Sequence, residues 1–443
     1  MPMSQEKRKL LKWAWIILGA LAAIFITAVA VMFWISGSRL ERRLAAIRAA
    51  DDPVSIADIK TEDIAADKDA ATFLRLARGD AKSLTVQLYP IAQAADVRKS
   101  HLDSTEIEAI EAAFAAYPQV MPLIEQAADC PTCSVDYSKH AANTKVATDD
   151  IMQNVEQRRM FARLLYQYRF FLLMSKGKHD DAVQNCITLL RLSRLSDNDP
   201  TLMNFMANGL AGRGIAIEEA NEALQAGRVS DNVRQELENQ LAKIDIRRAY
   251  LQTLKTERAY VLDNIEQMSA GKNWFSLTFL NREKHGCLDM FEWLIARATA
   301  ALPENASNTP TNISPTPPSS GPLGLLLLPS MQAVETAANR VEAEISVLRI
   351  INALGRRDDP QKPPLADLSD LGLPESATTD PFSDAGKPLI VKKVDGGWLV
   401  YSVGENKVDD GGDVDVSQST KLLDIGLRPV VRTKPTAHKP KSQ

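Results

Sequence analysis

The sequence predicts a mainly α-helical chain. It has one N-terminal transmembrane helix, an α-helical hairpin array that is tetratricopeptide-like in part, and a small β-hairpin module at the C-terminal end. Three observations predict this. Residues 13–35 contain no charged side chain. Through the middle of the chain apolar residues recur at helical spacing, and alanine and leucine abound while aromatics make up only 6%, a balance that favours helix because those side chains lose little rotamer freedom in it. Beyond Leu354 proline, glycine and aspartate multiply, and two strand-like runs, 389–393 and 398–402, flank Gly396 and Gly397, the residue type that supplies the positive dihedrals of a hairpin turn.

The bulk numbers bound the classes. A chain of 443 residues holds two or three domains of ordinary size. Hydrophobic content of 45% and charged content of 24% match a folded globular protein. A net charge of −4 and a pI near 5.9 argue against a general nucleic-acid binder, which needs a concentrated basic face, and leave room for a local basic patch. The expected divisions are a cytoplasmic tail at 1–12, the membrane helix at 13–35, a helical ectodomain at 36–300, a Pro/Ser/Thr-rich loop or linker at 301–330, a helix plus β-hairpin module at 331–427 and a disordered basic tail at 428–443.

The apolar run spans about 23 residues, roughly 34 Å as a helix, enough to cross a hydrocarbon core of about 30 Å. Trp13 and Trp15 stand at one end, Phe33 and Trp34 at the other, as interface belts do. A cleaved signal peptide fits less well, because the apolar core is too long and no small-x-small site follows. Lys7, Arg8, Lys9 and Lys12 precede the run, while Arg39, Arg42, Arg43 and Arg48 follow it. The positive-inside count is thus nearly balanced. The short leading tail favours an N-terminus inside, with the bulk of the chain extracytoplasmic.

Beyond the membrane, residues 36–50 continue as a basic helix until Asp52-Pro53 interrupts it. A short helix is expected over 67–76. Asp103 followed by Glu106 reads as a capping box,, and Ile107, Ile110, Phe114 and Tyr117 carry the stripe that follows. Phe161, Leu164, Leu165, Tyr168, Phe171 and Leu172 mark a helix that Gly177 stops. Asp180 to Ala182 opens the next helix, and Thr201 a third, in which Gly209, Gly212 and Gly214 permit close approach. Ser230 starts one long helix reaching Met268. Residues 305–321 are rich in proline, serine, threonine and asparagine and read as a flexible linker. A helix follows at 334–354. The hairpin from Phe161 to Leu195 resembles a tetratricopeptide unit, with Pro200 too far downstream of Ala182 for that family's spacing and no regular 34-residue period elsewhere.

The strongest chemical signal is acidic. Asp409, Asp410, Asp413 and Asp415 surround Gly411 and Gly412. Hard oxygen donors on a glycine turn suit structural calcium, and a solvated acidic turn is the competing reading. Cys130 and Cys133, as Cys-Pro-Thr-Cys, allow a redox pair, half of a zinc site, or a local disulfide or helix-end cap. The first lacks its strand–helix context and the second lacks its partner pair. An extracytoplasmic address favours the disulfide. His101, His140, His179, His285 and His438 are scattered, and no HExxH, phosphate loop or nucleophile elbow occurs,. The expectation is therefore a chain that is not an enzyme.

Asp380-Pro381-Phe382, then 386–389, 401–404 and 409–416, resemble the C-terminal part of type II secretion major pseudopilins. That resemblance implies an Asp-Pro-aromatic turn leading into a hairpin, and an Asp-rich loop that binds calcium through positions matching Asp413 and Asp415. It covers about a tenth of the chain, so it describes a local module. The chain lacks the Gly-Phe-Thr-Leu-Ile-Glu type N-terminus of that family, so pilus assembly is not implied. The overall layout is similar to a family of membrane-anchored planctomycete proteins, through this module and the leucine-rich hairpin. The expected partners are the lipid bilayer along residues 13–35 and a protein docked between helical hairpins, as a scaffold would hold it. An accessory role in a type II secretion or pilus-like system is the alternative.

Overall fold

The computed structural model describes residues 5–59, 64–94, 102–134, 144–197, 201–269, 274–302, 314, 316–318, 321–357, 367–383, 386–414 and 424–430. Within some of these stretches only the backbone is described, including positions 14, 25, 26, 28, 30, 32 and 33. The architecture is mainly helical, with one three-stranded antiparallel sheet.

Helix α1 (Gln5–Ala49) is continuous from the charged N-terminal stretch through the apolar run and out to the basic segment beyond it. Its two halves differ in what covers them. Trp15, Ile16, Leu18, Leu21, Ile24 and Trp34 are exposed. Farther along, Leu40 is buried against Leu262 and Leu288, with Leu44 and Ile47 packed beside them. A one-sided stripe of this kind is what a helix lying on a protein core shows. The helix ends where Asp51 turns left-handed, at φ 60°, and Asp52 N donates back to Ile47 O at 3.2 Å. Among the described residues no helix is long and apolar enough to cross a membrane. Seven side chains of residues 13–35 lie outside that description.

The expected capping box is present. Asp103 Oδ1 accepts from Glu106 N at 2.8 Å and Glu106 Oε2 accepts from Asp103 N at 2.9 Å, starting α3 (Ser104–Ala116). The helix expected at 67–76 starts at Ala70 and runs on to Ala94 as α2. With α4 (Val120–Asp129), it contributes Leu84, Leu88 and Ile124 to the main core.

The central hairpin forms largely as its apolar spacing predicts. Helix α5 (Thr144–Arg163) passes through a π-helical turn, Leu164–Arg169, into α6 (Phe170–Ser175). Gly177 then turns at φ 66°, and α7 (His179–Arg194) returns. A π turn misaligns backbone carbonyls, and buried Asn185 of α7 donates Nδ2 to Leu165 O at 3.1 Å. A second π turn, Phe205–Leu210, joins α8 (Leu202–Asn204) to α9 (Ala211–Ala226). A Cβ at Gly212 would lie 3.2 Å from Ser193 Cβ, so this position lets α9 approach α7 closely, and one at Gly209, in the π turn, would lie 3.4 Å from Ser196 Cβ just past α7. Gly214 has no comparably tight neighbour.

Two expectations on segment length are corrected. The single helix from Ser230 to Met268 is two, α10 (Asp231–Leu241) and α11 (Ile246–Ser269). Asp245 Oδ1 accepts from Arg248 N at 2.9 Å and opens the second, a local competition that an Asp side chain wins at helix starts. The linker expected over 301–330 overlaps α13, which begins at Pro322 and runs to Arg356. Proline suits the first turn of a helix, where its missing N–H has no partner to lose. Residues 303–313 and the tail beyond 430 lie outside the described residues.

Helix α13 is the spine of the body. Val334, Val347, Leu348, Ile350 and Ile351 are buried, and they share one core with residues of α7, α9, α10 and α12 (Trp274–Ala300) and with Val400 and Leu427 of the sheet. The β-rich C-terminal module is thus packed onto the helical body through α13. Strand β1 (Ile390–Val394) pairs with β2 (Gly397–Ser402), Val394 opposite Gly397. A third strand, β3 (Ile425–Leu427), which the sequence did not predict, pairs antiparallel with β2, Ser402 opposite Ile425.

The start of α8 is fixed twice. Thr201 Oγ1 accepts from Asn204 N at 3.2 Å, and Glu257 Oε2 of α11 accepts from Leu202 N at 3.0 Å. Burial pushes the Glu257 carboxyl up to about 6, with the Leu202 N–H opposing. Its folded value lies above its unfolded one, so folding favours the protonated form. Stability from this group is highest below the ordinary glutamate range and falls as pH rises toward 6. The side chain keeps some solvent contact, and the penalty above that range is at most about 2 kcal/mol. Glu257→Gln is expected to raise the melting temperature at pH 7.5 and to lose that advantage at pH 4.5, read by circular dichroism. An advantage that grows on acidification would contradict this.

Candidate functional site

The predicted acidic turn links β2 toward β3, and its carboxylates are held mostly by the module itself. Asp409 Oδ1 accepts from Tyr401 OH at 2.8 Å and from Gly411 N at 2.9 Å. The tyrosine hydroxyl, then the glycine amide, hold the Asp409 carboxyl below the usual carboxylate range. Asp410 Oδ2 accepts from Asn406 Nδ2 at 2.8 Å. Asp413 is exposed, with no hydrogen bond among the described residues. Gly411 and Gly412 turn at φ 89° and 87°, the left-handed region that glycine enters without strain. Lys392 crosses over the Tyr401 ring, 4.8 Å from its centroid, and donates to Gly411 O at 3.3 Å.

Among the described residues no three His, Cys, Asp or Glu side chains converge to hold a metal ion. Asp409, Asp410 and Asp413 do not converge as such a group. Asp415 lies outside the described residues.

Two buried aspartates organise the module. Asp424 is fully buried and accepts from Gly412 N at 2.8 Å and Asp410 N at 3.4 Å. Burial pushes its carboxyl up, the two amides oppose, and Asp410 and Asp409 add to the rise. Asp380 accepts from Ser402 Oγ at 2.6 Å, Phe382 N at 2.9 Å and Val403 N at 3.0 Å. It joins the Asp-Pro-Phe turn to the end of β2. The available sequence signal for Asp424 was a lone acid between Leu422, Leu423 and Ile425.

Cys130 and Cys133 carry no disulfide. Cys130 follows α4 and donates Sγ to Gln126 O at 3.3 Å, the helix-end arrangement. Burial first, then the Asp69 charge, push its thiol up. Burial likewise raises Cys287 to about 11 and Cys186 well above its ordinary value. These three favour the thiol over the nucleophilic thiolate. The segment after Cys130 is tied to the start of α2. Thr132 O accepts from Ala70 N at 3.0 Å, and Asp69 accepts from Ser134 N at 2.9 Å and from the Ser134 hydroxyl.

Of the predicted histidines, His179 opens α7 and His285 lies in α12. His101, His140 and His438 lie outside the described residues. The central helices bury charge as well. Arg213 is fully buried and donates Nη2 to both carboxylate oxygens of Asp197, at 2.7 and 2.6 Å. Arg234 Nη1 donates to Asn352 O while Asn352 Nδ2 donates back to Arg234 O, clamping α10 to α13. No protein family, curated protein or solved structure matches this chain.

Asp380→Ala strands the Ser402 hydroxyl and two amides in a buried place. It is expected to destabilise by about 2–4 kcal/mol, while Asp380→Asn, which keeps an acceptor, costs less. Urea unfolding followed by circular dichroism checks this, and equal stability of native and Ala forms would contradict it.

Proposed function

We propose that this chain is a non-enzymatic envelope protein anchored in a membrane by residues 13–35, N-terminus cytoplasmic, with its helical body serving as a scaffold for a protein partner. The observation that carries the reading is the change of surface along α1. Trp15 and Trp34, near the two ends of the uncharged run, are 67% and 72% exposed, and Ile16, Leu18, Leu21 and Ile24 between them face outward in several directions. Water-soluble proteins rarely expose contiguous apolar surface beyond a few hundred Å². A sleeve of hydrocarbon covers such a helix without further protein. The same helix then docks on the body through Leu40, so anchor and body move as one piece.

For the partner, Val86 and Tyr89 stand exposed three residues apart on α2, an apolar pair at the spacing of one helix face. The Asp380 turn that leads into the hairpin supports a second reading, an accessory component of a type II secretion or pilus-like system. Co-purification of a pseudopilin would distinguish it.

Membranes washed with alkaline carbonate are expected to keep the protein in the pellet. Added protease is expected to destroy the C-terminal module in intact spheroplasts while sparing an N-terminal tag. Release into the carbonate supernatant would contradict the anchor, and protection of the C-terminal module would contradict the orientation.

The acidic turn carrying Asp409, Asp410, Asp413 and Asp415 in sequence is proposed as a structural calcium site. Calcium is then expected to raise the melting temperature of the native chain and not that of Asp413→Asn/Asp415→Asn. No response in the native chain would contradict it.

A further inference from the structure

Where α1 leaves the apolar run it meets α12, and the junction forms a cavity of about 850 Å³ that is open to the surface. Arg39, Arg42 and Arg43 of α1 line it, with His285 and Asp289 of α12 opposite, and Ile35 and Ser36 closing the end toward the apolar run. Three guanidinium groups thus face one carboxylate across the cavity. That carboxylate is already engaged. Arg43 Nη2 lies 2.8 Å from Asp289 Oδ1 and 2.9 Å from Glu292 Oε1.

His285 steadies this arrangement. Its Nε2 is 3.2 Å from Ser36 O, a group that only accepts, so Nε2 carries the proton,. Nδ1 is then left to accept from Arg43 Nη1 at 3.3 Å. The neutral ring bridges the two helices and holds Arg43 back against its acids.

Arg39 and Arg42 have no such acids. Both are exposed, and among the described residues Arg42 makes only a hydrogen bond from Nε to Ser38 O at 3.2 Å, and Arg39 makes none. They stand three residues apart on the helix, so their planar forks project from one face. Guanidinium forks match phosphate oxygens two at a time.

We propose that this cavity seats the phosphate of an anionic phospholipid headgroup, held by Arg39 and Arg42, with the lipid's acyl chains running past Ile35 along the apolar surface of α1. The inference rests on the membrane reading above. The position selects a lipid over a free anion. The cavity begins at the last residue of the apolar run, so a ligand there has its charged end against the arginines and its other end at Ile35.

The test uses the full chain in nanodiscs of equal phosphatidylglycerol and phosphatidylcholine, extracted in mild detergent and read by native mass spectrometry. The expected result is retained phosphatidylglycerol in excess of phosphatidylcholine by about fivefold or more. Arg39→Gln/Arg42→Gln is expected to bring the ratio near one, and Lys7→Gln/Lys9→Gln, at the other end of the run, to leave it unchanged. An excess that survives loss of the two arginines, or that falls equally in the lysine variant, overturns the site. So does replacement of the lipid by millimolar inorganic phosphate, seen as a phosphate adduct. Entry into nanodiscs with no preference overturns the site alone, whereas failure to enter any nanodisc overturns the anchor as well.

Discussion

One helix in two surroundings governs the structure. Along its first half α1 presents apolar side chains outward in several directions, and along its second half it buries a single stripe on α11 and α12. No break separates the halves. Burial of side chains the size of Leu40, Leu262 and Leu288 is worth about 1.5–3 kcal/mol each. That docking fixes the direction in which the exposed half projects from the body. Whatever covers the first half therefore sets the orientation of everything else.

The body is built around α13, against which the helical layers and the sheet pack. Its interior is not purely apolar. The Arg213–Asp197 pair and the reciprocal Arg234–Asn352 bonds sit among leucines and alanines. Buried charge of this kind adds little net stability, yet losing one partner is expensive, so these pairs specify which helix faces which. The C-terminal sheet uses the same device on a smaller scale. Asp380 and Asp424 collect backbone and hydroxyl donors and fix the turns on either side of β2. The exposed Asp409, Asp410 and Asp413 decorate a turn whose shape is already set from inside.

Much of this was legible in the residues. The capping box at Asp103, the stop at Gly177, the tight approach at Gly209 and Gly212 and the Gly396-Gly397 hairpin each follow from a local rule, and each forms. What escaped was decided by partners distant in sequence. The break between α10 and α11 carries neither glycine nor proline, and Asp245 is a weak signal when an apolar stripe continues across it. Strand β3 is only three residues long and exists because β2 has a free edge beside α13. Of the clustered acids named from the sequence, Asp409, Asp410 and Asp413 are exposed, because clustering is visible in a sequence and burial is not. Asp424, which holds the acidic turn from beneath, stands alone in an apolar run.

The central claim concerns what surrounds the first half of α1, and a nitroxide scan along positions 15–48 of the reconstituted chain addresses it most directly. Relaxation by oxygen reports lipid, and relaxation by a water-soluble nickel chelate reports water. The account predicts high oxygen access and low nickel access on every face from Ile16 to Val31. From Leu40 onward it predicts a helical period, with Leu40, Leu44 and Ile47 shielded from both reagents. Nickel access along the first half, or a helical period of shielding extending back through it, would place water or protein where the account places lipid.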